Sequence, residues 1–173
     1  MKDGDTEELQ NGSRHCKSEF ENQHSDPVLT VRDHIHIDAP PEDVFAFLDT
    51  PERQPEVTPS LTASTLIERL DNGGSRVRYT FGLLGWDFTG EVRATDYAPP
   101  ERIVWSLTGD LHGTLRWYLE PTNGGTTFTY AATYVVPGPA FLRPVLTPLV
   151  RRLNHRELRK LLAAVRARVE AGD

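Results

Sequence analysis

Apolar and polar residues alternate from residue 61 to residue 135, and short turns rich in glycine or proline interrupt the alternation. A period of two puts apolar side chains on one face of a β-strand. Asn72-Gly73-Gly74 and Asn123-Gly124-Gly125 are typical of hairpin turns, and Gly85 marks a further bend. The pattern predicts six consecutive strands of an antiparallel sheet that packs on one side only, since each strand keeps one polar face.

A seventh strand and a short helix are predicted before these six. Apolar residues take alternate positions in residues 29–37, LTVRDHIHI, which is typical of a half-buried strand. A helix then begins near Pro40 or Pro41 and ends by Pro51. The segment up to residue 61 contains two further prolines and has room for at most one helical turn.

The last part of the sequence has helical periodicity. Leucine and valine form one stripe along residues 142–169, and arginines occupy the opposite face, which predicts a long amphipathic helix covering the sheet. Pro144 falls in the first turn, where a missing N–H costs nothing. Pro148 lies deeper and predicts either a kink or a helix start nearer Thr147.

Length and composition exclude several classes of protein. The 173 residues correspond to one domain with a net charge of −6 and contain a single cysteine. One cysteine excludes an intramolecular disulfide framework and a cysteine-based zinc site. No stretch approaches the roughly 20 apolar residues of a transmembrane segment, and the acidic composition argues against a nucleic-acid partner. We expect a cytoplasmic, globular domain.

Charge and hydrophobicity divide the chain unevenly. Residues 1–27 hold four hydrophobic side chains and seven acids against three bases, so we predict a disordered acidic tail. Residues 28–172 form the predicted domain. Within it, residues 28–140 carry 15 acids and 8 bases, whereas residues 141–172 carry 2 acids and 8 bases. The body of the domain is therefore acidic, and its last helix is basic.

Three stretches resemble a known superfamily. They are IHIDAPPEDVFAFLDTPERQPEVTPSL near the start, NGGTTFTYAATYVVPG before the last helix, and that helix itself. They resemble the helix-grip (SRPBCC) superfamily of START domains and polyketide cyclase/dehydrase-like proteins, over about residues 28–170. The resemblance implies an α+β fold of order β-α-α-β6-α, in which a curved seven-stranded antiparallel sheet wraps around the C-terminal helix. It also implies a cavity between sheet and helix for an apolar or amphipathic small molecule, and no metal or nucleotide motif indicates a cofactor.

Side chains on the inward faces of the strands and on the apolar stripe of the last helix predict the wall of this cavity. A buried hydroxyl or amide there needs a hydrogen-bonding partner, which a ligand can provide. The predicted wall comprises Tyr79, Phe81, Trp86, Phe88, Trp105, Trp117, Phe128, Tyr130, Tyr134, Val150, Asn154 and Leu158.

Three polar residues are candidates for catalysis. Asp33 shares the inward face of its strand with apolar residues, so burial would raise its pKa and suit it to acid or base chemistry; the alternative is a carboxylate beside an arginine or at the sheet edge. Tyr130 can donate a proton or serve as a core residue. Asn154 can bind a ligand, or instead a strand or water.

Three functions remain open. The first is binding of a hydrophobic or amphipathic molecule that is lipid-, quinone- or polyketide-like. The second is a cyclase, aromatase or dehydratase that uses a tyrosine, aspartate or asparagine of the cavity. The third is an interaction module whose basic helix face, at Arg151 and Arg152, binds an acidic partner.

Overall fold

The computed structural model of the chain describes residues 28–83, 85–135 and 143–172, with the backbone alone at residues 143–147. The predicted tail, residues 1–27, lies outside them. In chain order the elements are β1 (Val28–Ile37), α1 (Pro41–Leu48), a 3₁₀ turn (Pro51–Arg53), α2 (Gln54–Val57), β2 (Leu61–Arg69), β3 (Ser75–Leu83), β4 (Trp86–Ala98), β5 (Arg102–Gly109), β6 (Gly113–Thr122), β7 (Gly125–Val135) and α3 (Arg143–Glu170).

The seven strands form one antiparallel sheet of order β1-β7-β6-β5-β4-β3-β2. Strands β2 to β7 are sequential neighbours, and β1 pairs with the last strand, so β1 and β2 are the edges. The register slips between Ala94 and Asp96 in β4 and at two places in β2. Such bulges bend a strand and increase its twist. The predicted helix-grip order is confirmed.

Helix α1 forms because its first residues favour helix initiation and its later residues form an apolar face. Pro41 stands at the first helical position, and Glu42 and Asp43 lie in the first turn, where the helix dipole favours acids. Val44, Phe45, Phe47 and Leu48 are buried. The helix thereby closes one end of the sheet's apolar face.

Helix α3 begins at Arg143, so Pro144 lies in its first turn as predicted. Pro148 lies inside the helix, so of the two alternatives predicted for it the start nearer Thr147 is wrong. A proline near the helix start removes a single backbone hydrogen bond. The helix tolerates this loss because its later apolar residues, among them Leu158 and Val165, are buried in the main core.

The main core lies between the sheet, α1 and the C-terminal half of α3. Its fully buried members include Ile37 of β1, Ile103 of β5, Phe128 of β7, Val44 of α1 and Val165 of α3. Towards the other end of α3, Leu29 and Val150 form a small separate cluster. The cavity adjoins both clusters, because its wall includes Leu158 of the first and partly buried Tyr134, which packs against the second.

Candidate ligand-binding cavity

A cavity of about 210 Å³ lies between the inner face of the sheet and α3. All seven strands contribute to its wall, β3 and β7 with the most residues, and α3 closes one side with Asn154, Glu157, Leu158 and Leu161. The segment from Leu48 to Leu61 contributes a further side. The volume is below the roughly 300–1,000 Å³ of sites for drug-sized ligands.

Eight of the twelve side chains predicted for the wall line this cavity. They are Tyr79, Phe81, Trp105, Trp117, Tyr130, Tyr134, Asn154 and Leu158. The alternation of each strand identifies the face on which these residues lie, and the sheet brings all seven strands together around one space.

The other four predicted residues lie outside the cavity wall. Trp86 is wrong as an inward-facing residue, because its side chain is 73% exposed at the start of β4, beside the Gly85 turn. Phe88 pairs with Phe81 across β3 and β4 and is half-buried. Phe128 is completely buried in the main core, and Val150 packs with Leu29. Alternation predicts on which face of the sheet a residue lies, but it does not predict which part of that face the helices and loops cover.

Several wall residues were missing from the prediction. Gln54, Ser60 and Ser64 come from the proline-broken segment and the edge strand β2, and Leu111 comes from the β5–β6 loop. Loop residues carry no periodic signal that would place them on a face. Glu157 was detectable, because it follows Asn154 by three residues and so shares its helix face.

The polar part of the wall centres on Tyr130, Tyr134 and Asn154. The Asn154 amide nitrogen donates a hydrogen bond to the hydroxyl oxygen of Tyr134. Burial raises the pKa of Tyr130 to about 12. Burial also raises the pKa of Tyr134, and the proximity of Tyr130 adds to that effect. Both phenols therefore stay protonated near neutral pH and are available as neutral hydroxyl groups.

Tyr79 brings a third hydroxyl to the wall. It is 5% exposed, and its oxygen makes no hydrogen bond of ordinary geometry. Burial raises the pKa of Tyr79, and the nearby Leu111 amide partly offsets this. A Cβ atom on Gly90 would lie 2.6 Å from the Tyr79 hydroxyl, so glycine at this position makes room for the ring.

Two tryptophans form the aromatic part of the wall. Trp105 and Trp117 meet edge to face with their ring centroids 5.6 Å apart. Both are buried, and neither indole N–H has a hydrogen-bond acceptor within the described part of the chain. Their N–H groups are covered by neighbouring atoms, so the rings present chiefly carbon to the cavity.

Glu157 carries the one carboxylate among the described residues of the wall, and it is already paired. Its Oε2 atom accepts a hydrogen bond from Ser60 at 3.2 Å, and its Oε1 atom lies 3.1 Å from the Lys160 ammonium. Its side chain is 28% exposed.

Asp33 lies outside the cavity, so its prediction as a buried acid or base of the cavity is wrong. It sits on the edge strand β1, where its side chain is 33% exposed. One carboxylate oxygen accepts the His34 backbone N–H at 2.9 Å, and the other lies 3.9 Å from Arg159. The alternative, a carboxylate beside an arginine at the sheet edge, describes its position.

The surface of the described residues gives no second candidate site. No group of three histidine, cysteine, aspartate or glutamate side chains within the described ranges is placed to hold a metal ion. Arg151 and Arg152 are exposed on α3, and their proposed acidic partner stays a prediction. No helix in the described part of the chain is long and apolar enough to cross a bilayer.

Solved structures with the same arrangement include three that cover most of this chain. The protein TTHA0849 from Thermus thermophilus is 22% identical, with a TM-score of 0.75 over 84% of this chain and 99% of that one. The Zhui aromatase/cyclase from a Streptomyces species is 15% identical, with a TM-score of 0.71 over 83% and 94%. A START superfamily protein from Mycobacterium smegmatis is 20% identical, with a TM-score of 0.67 over 83% and 99%. At these identities the similarity shows the fold.

The sequence itself identifies the family. No curated protein sequence matches the chain. A family model described as "Polyketide cyclase / dehydrase and lipid transport" matches residues 28–170, which is nearly all of the part that the structure describes. The chain therefore belongs to the polyketide cyclase/dehydrase and lipid transport family, within the START/SRPBCC helix-grip superfamily.

Proposed function

We propose that this protein binds a hydrophobic or amphipathic small molecule, of lipid-, quinone- or polyketide-like character, in the cavity between the sheet and α3. The observation that carries the proposal is the wall itself. Leucine, valine and aromatic side chains from all seven strands and from α3 surround one space, with a few polar groups set among them. This combination is characteristic of small-molecule sites, where apolar area drives binding and polar groups orient the ligand.

The test is to fill the cavity without changing the outer surface. Ala132 lies on the cavity wall and is 7% exposed, and Ala131 precedes it on the opposite face of β7. We expect Ala132→Leu to reduce binding of hydrophobic compounds, whereas Ala131→Leu retains it. The measurement is the shift in Tm of each folded variant across a library of such compounds, since a ligand of the native state raises Tm.

Native mass spectrometry of the purified wild-type protein provides an independent measurement. We expect a small molecule to co-purify with the wild type and with Ala131→Leu, and to be reduced in Ala132→Leu. Equal Tm shifts in both variants, or no co-purifying compound and no Tm shift with any compound, would contradict the proposal.

A second candidate function is a cyclase or dehydratase reaction, and the Tyr130, Tyr134 and Asn154 group favours it. Two protonated phenols facing a small-molecule space can donate to a carbonyl oxygen as it gains charge, which is the task of a general acid. We expect ring closure of a linear poly-β-ketone, followed by absorbance, to be faster with wild type than with Tyr130→Phe. Equal rates with both proteins would remove Tyr130 from this role.

A further inference from the structure

We propose that the ligand is a compact, uncharged molecule of one or two rings that presents an acceptor oxygen to the hydroxyl of Tyr130 or of Tyr134. This inference rests on the proposed binding function and names the chemical class of the ligand. Three independent features of the cavity support it: the charges of its wall, the hydrogen-bond donors left free on it, and its size.

The charges of the wall argue against an anionic ligand. No lysine, arginine or histidine occurs among the described residues that line the cavity. The carboxylate of Glu157 is the one charge among these lining residues, and Ser60 and Lys160 hold it. A carboxylate or phosphate entering this space would lose its hydration and find no cation on that described wall, at a cost that normally prevents such burial. A free fatty acid therefore fits poorly.

The donors argue for an acceptor oxygen on the ligand. The hydroxyl oxygen of Tyr134 accepts its hydrogen bond from Asn154, so its own proton remains available. Tyr130 lies four residues earlier on the same face of β7, with its side chain on the cavity wall. A ligand carbonyl or ether oxygen can accept from either phenol, whereas a pure hydrocarbon leaves both without a partner.

Size and shape argue for one or two rings. A volume of about 210 Å³ is below the roughly 300–1,000 Å³ of sites for drug-sized ligands. A molecule of four fused rings, or an extended acyl chain, has a larger volume than this cavity. Trp105 and Trp117 both line the cavity with their ring planes inclined at 70°, and a flat ring can pack against them because aromatic groups prefer edge-to-face and offset contacts.

Four probes separate these features. They are 1-tetralone, a neutral two-ring ketone; tetralin, the same rings without oxygen; 1-naphthoate, two rings with a negative charge; and testosterone, a neutral four-ring ketone. Binding to the full-length protein is measured by quenching of tryptophan fluorescence and by calorimetry near neutral pH. We expect 1-tetralone to bind at least about tenfold more tightly than 1-naphthoate or testosterone, a difference of about 1.4 kcal/mol.

The tyrosines are tested on the same probes. One neutral hydrogen bond contributes about 0.5–1.5 kcal/mol, which is roughly 2- to 10-fold in affinity. We expect Tyr130→Phe or Tyr134→Phe, whichever removes the phenol that donates to the ketone, to weaken binding of 1-tetralone by that factor, and both variants to leave binding of tetralin unchanged. Tyr118→Phe, on a strand position outside the wall, is the matched control and should leave both probes unchanged.

The outcomes distinguish this inference from the proposed function. Tight binding of testosterone or 1-naphthoate with little binding of 1-tetralone overturns the inference and leaves hydrophobic binding intact. Equal effects of the tyrosine variants on 1-tetralone and tetralin also overturn it, because the hydroxyls then act through packing alone. Failure of all four probes, together with no co-purifying compound and no Tm shift from the library, overturns both.

Discussion

Gly90 shows how closely single atoms are fitted around the cavity. It lies on β4 opposite Tyr79 of β3, and its backbone is also close to β5. A Cβ atom at this position would come within 2.2 Å of the Thr108 carbonyl oxygen and 2.6 Å of the Tyr79 hydroxyl. The absence of a side chain at residue 90 therefore lets the Tyr79 ring lie across the strand.

We predict that Gly90→Ala destabilises the protein by about 1–3 kcal/mol, as overpacking of well-packed sites does. The carbonyl of Thr108 belongs to the sheet backbone, so it cannot move away from an added methyl group as the end of a flexible side chain would. The measurement is the free energy of unfolding from urea titration. Gly82→Ala is the matched control, because its Cβ would lie 3.5 Å from the nearest atom. Equal stability of the two variants would contradict the prediction.

Tyr130 makes stability depend on pH in the alkaline range. Burial raises its pKa to about 12 in the folded state, whereas an unfolded tyrosine titrates near 10. Below about pH 10 the phenol is protonated in both states, and its contribution is fully present. Between about pH 10 and 12 the unfolded state loses the proton first, so stability falls as the pH rises.

We therefore predict that wild type loses stability between about pH 10 and 12 more steeply than Tyr130→Phe does. The comparison with phenylalanine removes the shared effect of the other tyrosines, three of which, Tyr79, Tyr97 and Tyr134, also have raised pKa values through burial. The measurement is the free energy of unfolding at half-unit steps of pH. Parallel curves for the two proteins would show that Tyr130 titrates as an exposed tyrosine does.

At the scale of elements, Asp49 ties the end of α1 to two strands. Its Oδ2 atom accepts hydrogen bonds from Arg69 of β2 at 2.8 Å and from the Tyr97 hydroxyl of β4 at 3.0 Å. The Asp49 side chain is 15% exposed. Phe45 of α1 packs edge to face on the Tyr97 ring at 5.5 Å. These contacts fix α1 across one end of the sheet, next to the cavity residue Leu48.

We predict that Asp49→Ala lowers the free energy of unfolding by about 2–3 kcal/mol, because it removes a charged acceptor and leaves the Tyr97 hydroxyl and Arg69 without it. Tyr97→Phe keeps the contact with Phe45 and should cost less, about 1 kcal/mol. Asp71→Ala, at an exposed carboxylate in the β2–β3 turn, is the control. An Asp49→Ala loss no larger than that of the control would mean that the hydrogen bonds are not stabilising.

At the scale of the whole molecule, the family match and the sheet occupy the same part of the chain. Strand β1 begins at Val28, where the match also begins, and α3 ends at Glu170, where it ends. The core joins β1, the last strand and α3, so these residues should fold without the acidic segment before them.

We predict that a chain shortened to residues 28–173 keeps the Tm of the full-length protein within about 2 °C and binds the same compounds. In a domain of this size, a change of about 1 kcal/mol in the free energy of unfolding shifts Tm by about 2–4 °C. The physical reason is that residues 1–27 contain too few apolar side chains to contribute a core of their own. Thermal unfolding followed by circular dichroism measures this. A large fall in Tm would show that the segment packs on the domain and would contradict its predicted role as a tail.

Local patterns in the sequence determined the seven strands, the short helix before β2 and the long helix at the end. Alternation and helical periodicity are properties of neighbouring residues, and glycine turns between strands fix antiparallel neighbours without knowledge of the rest of the chain. The same alternation also found Tyr130 and Tyr134, which lie on one face of β7.

Only the tertiary structure decided which of these inward residues meet a cavity. Phe128 and Tyr130 share a face of β7, yet one fills the core and the other lines the cavity. Trp86 lies at the end of its strand and is exposed, and Asp33 lies at the sheet edge beside Arg159. The physical reason is that burial depends on what covers a face, and that cover comes from α3, α1 and loops distant in the sequence.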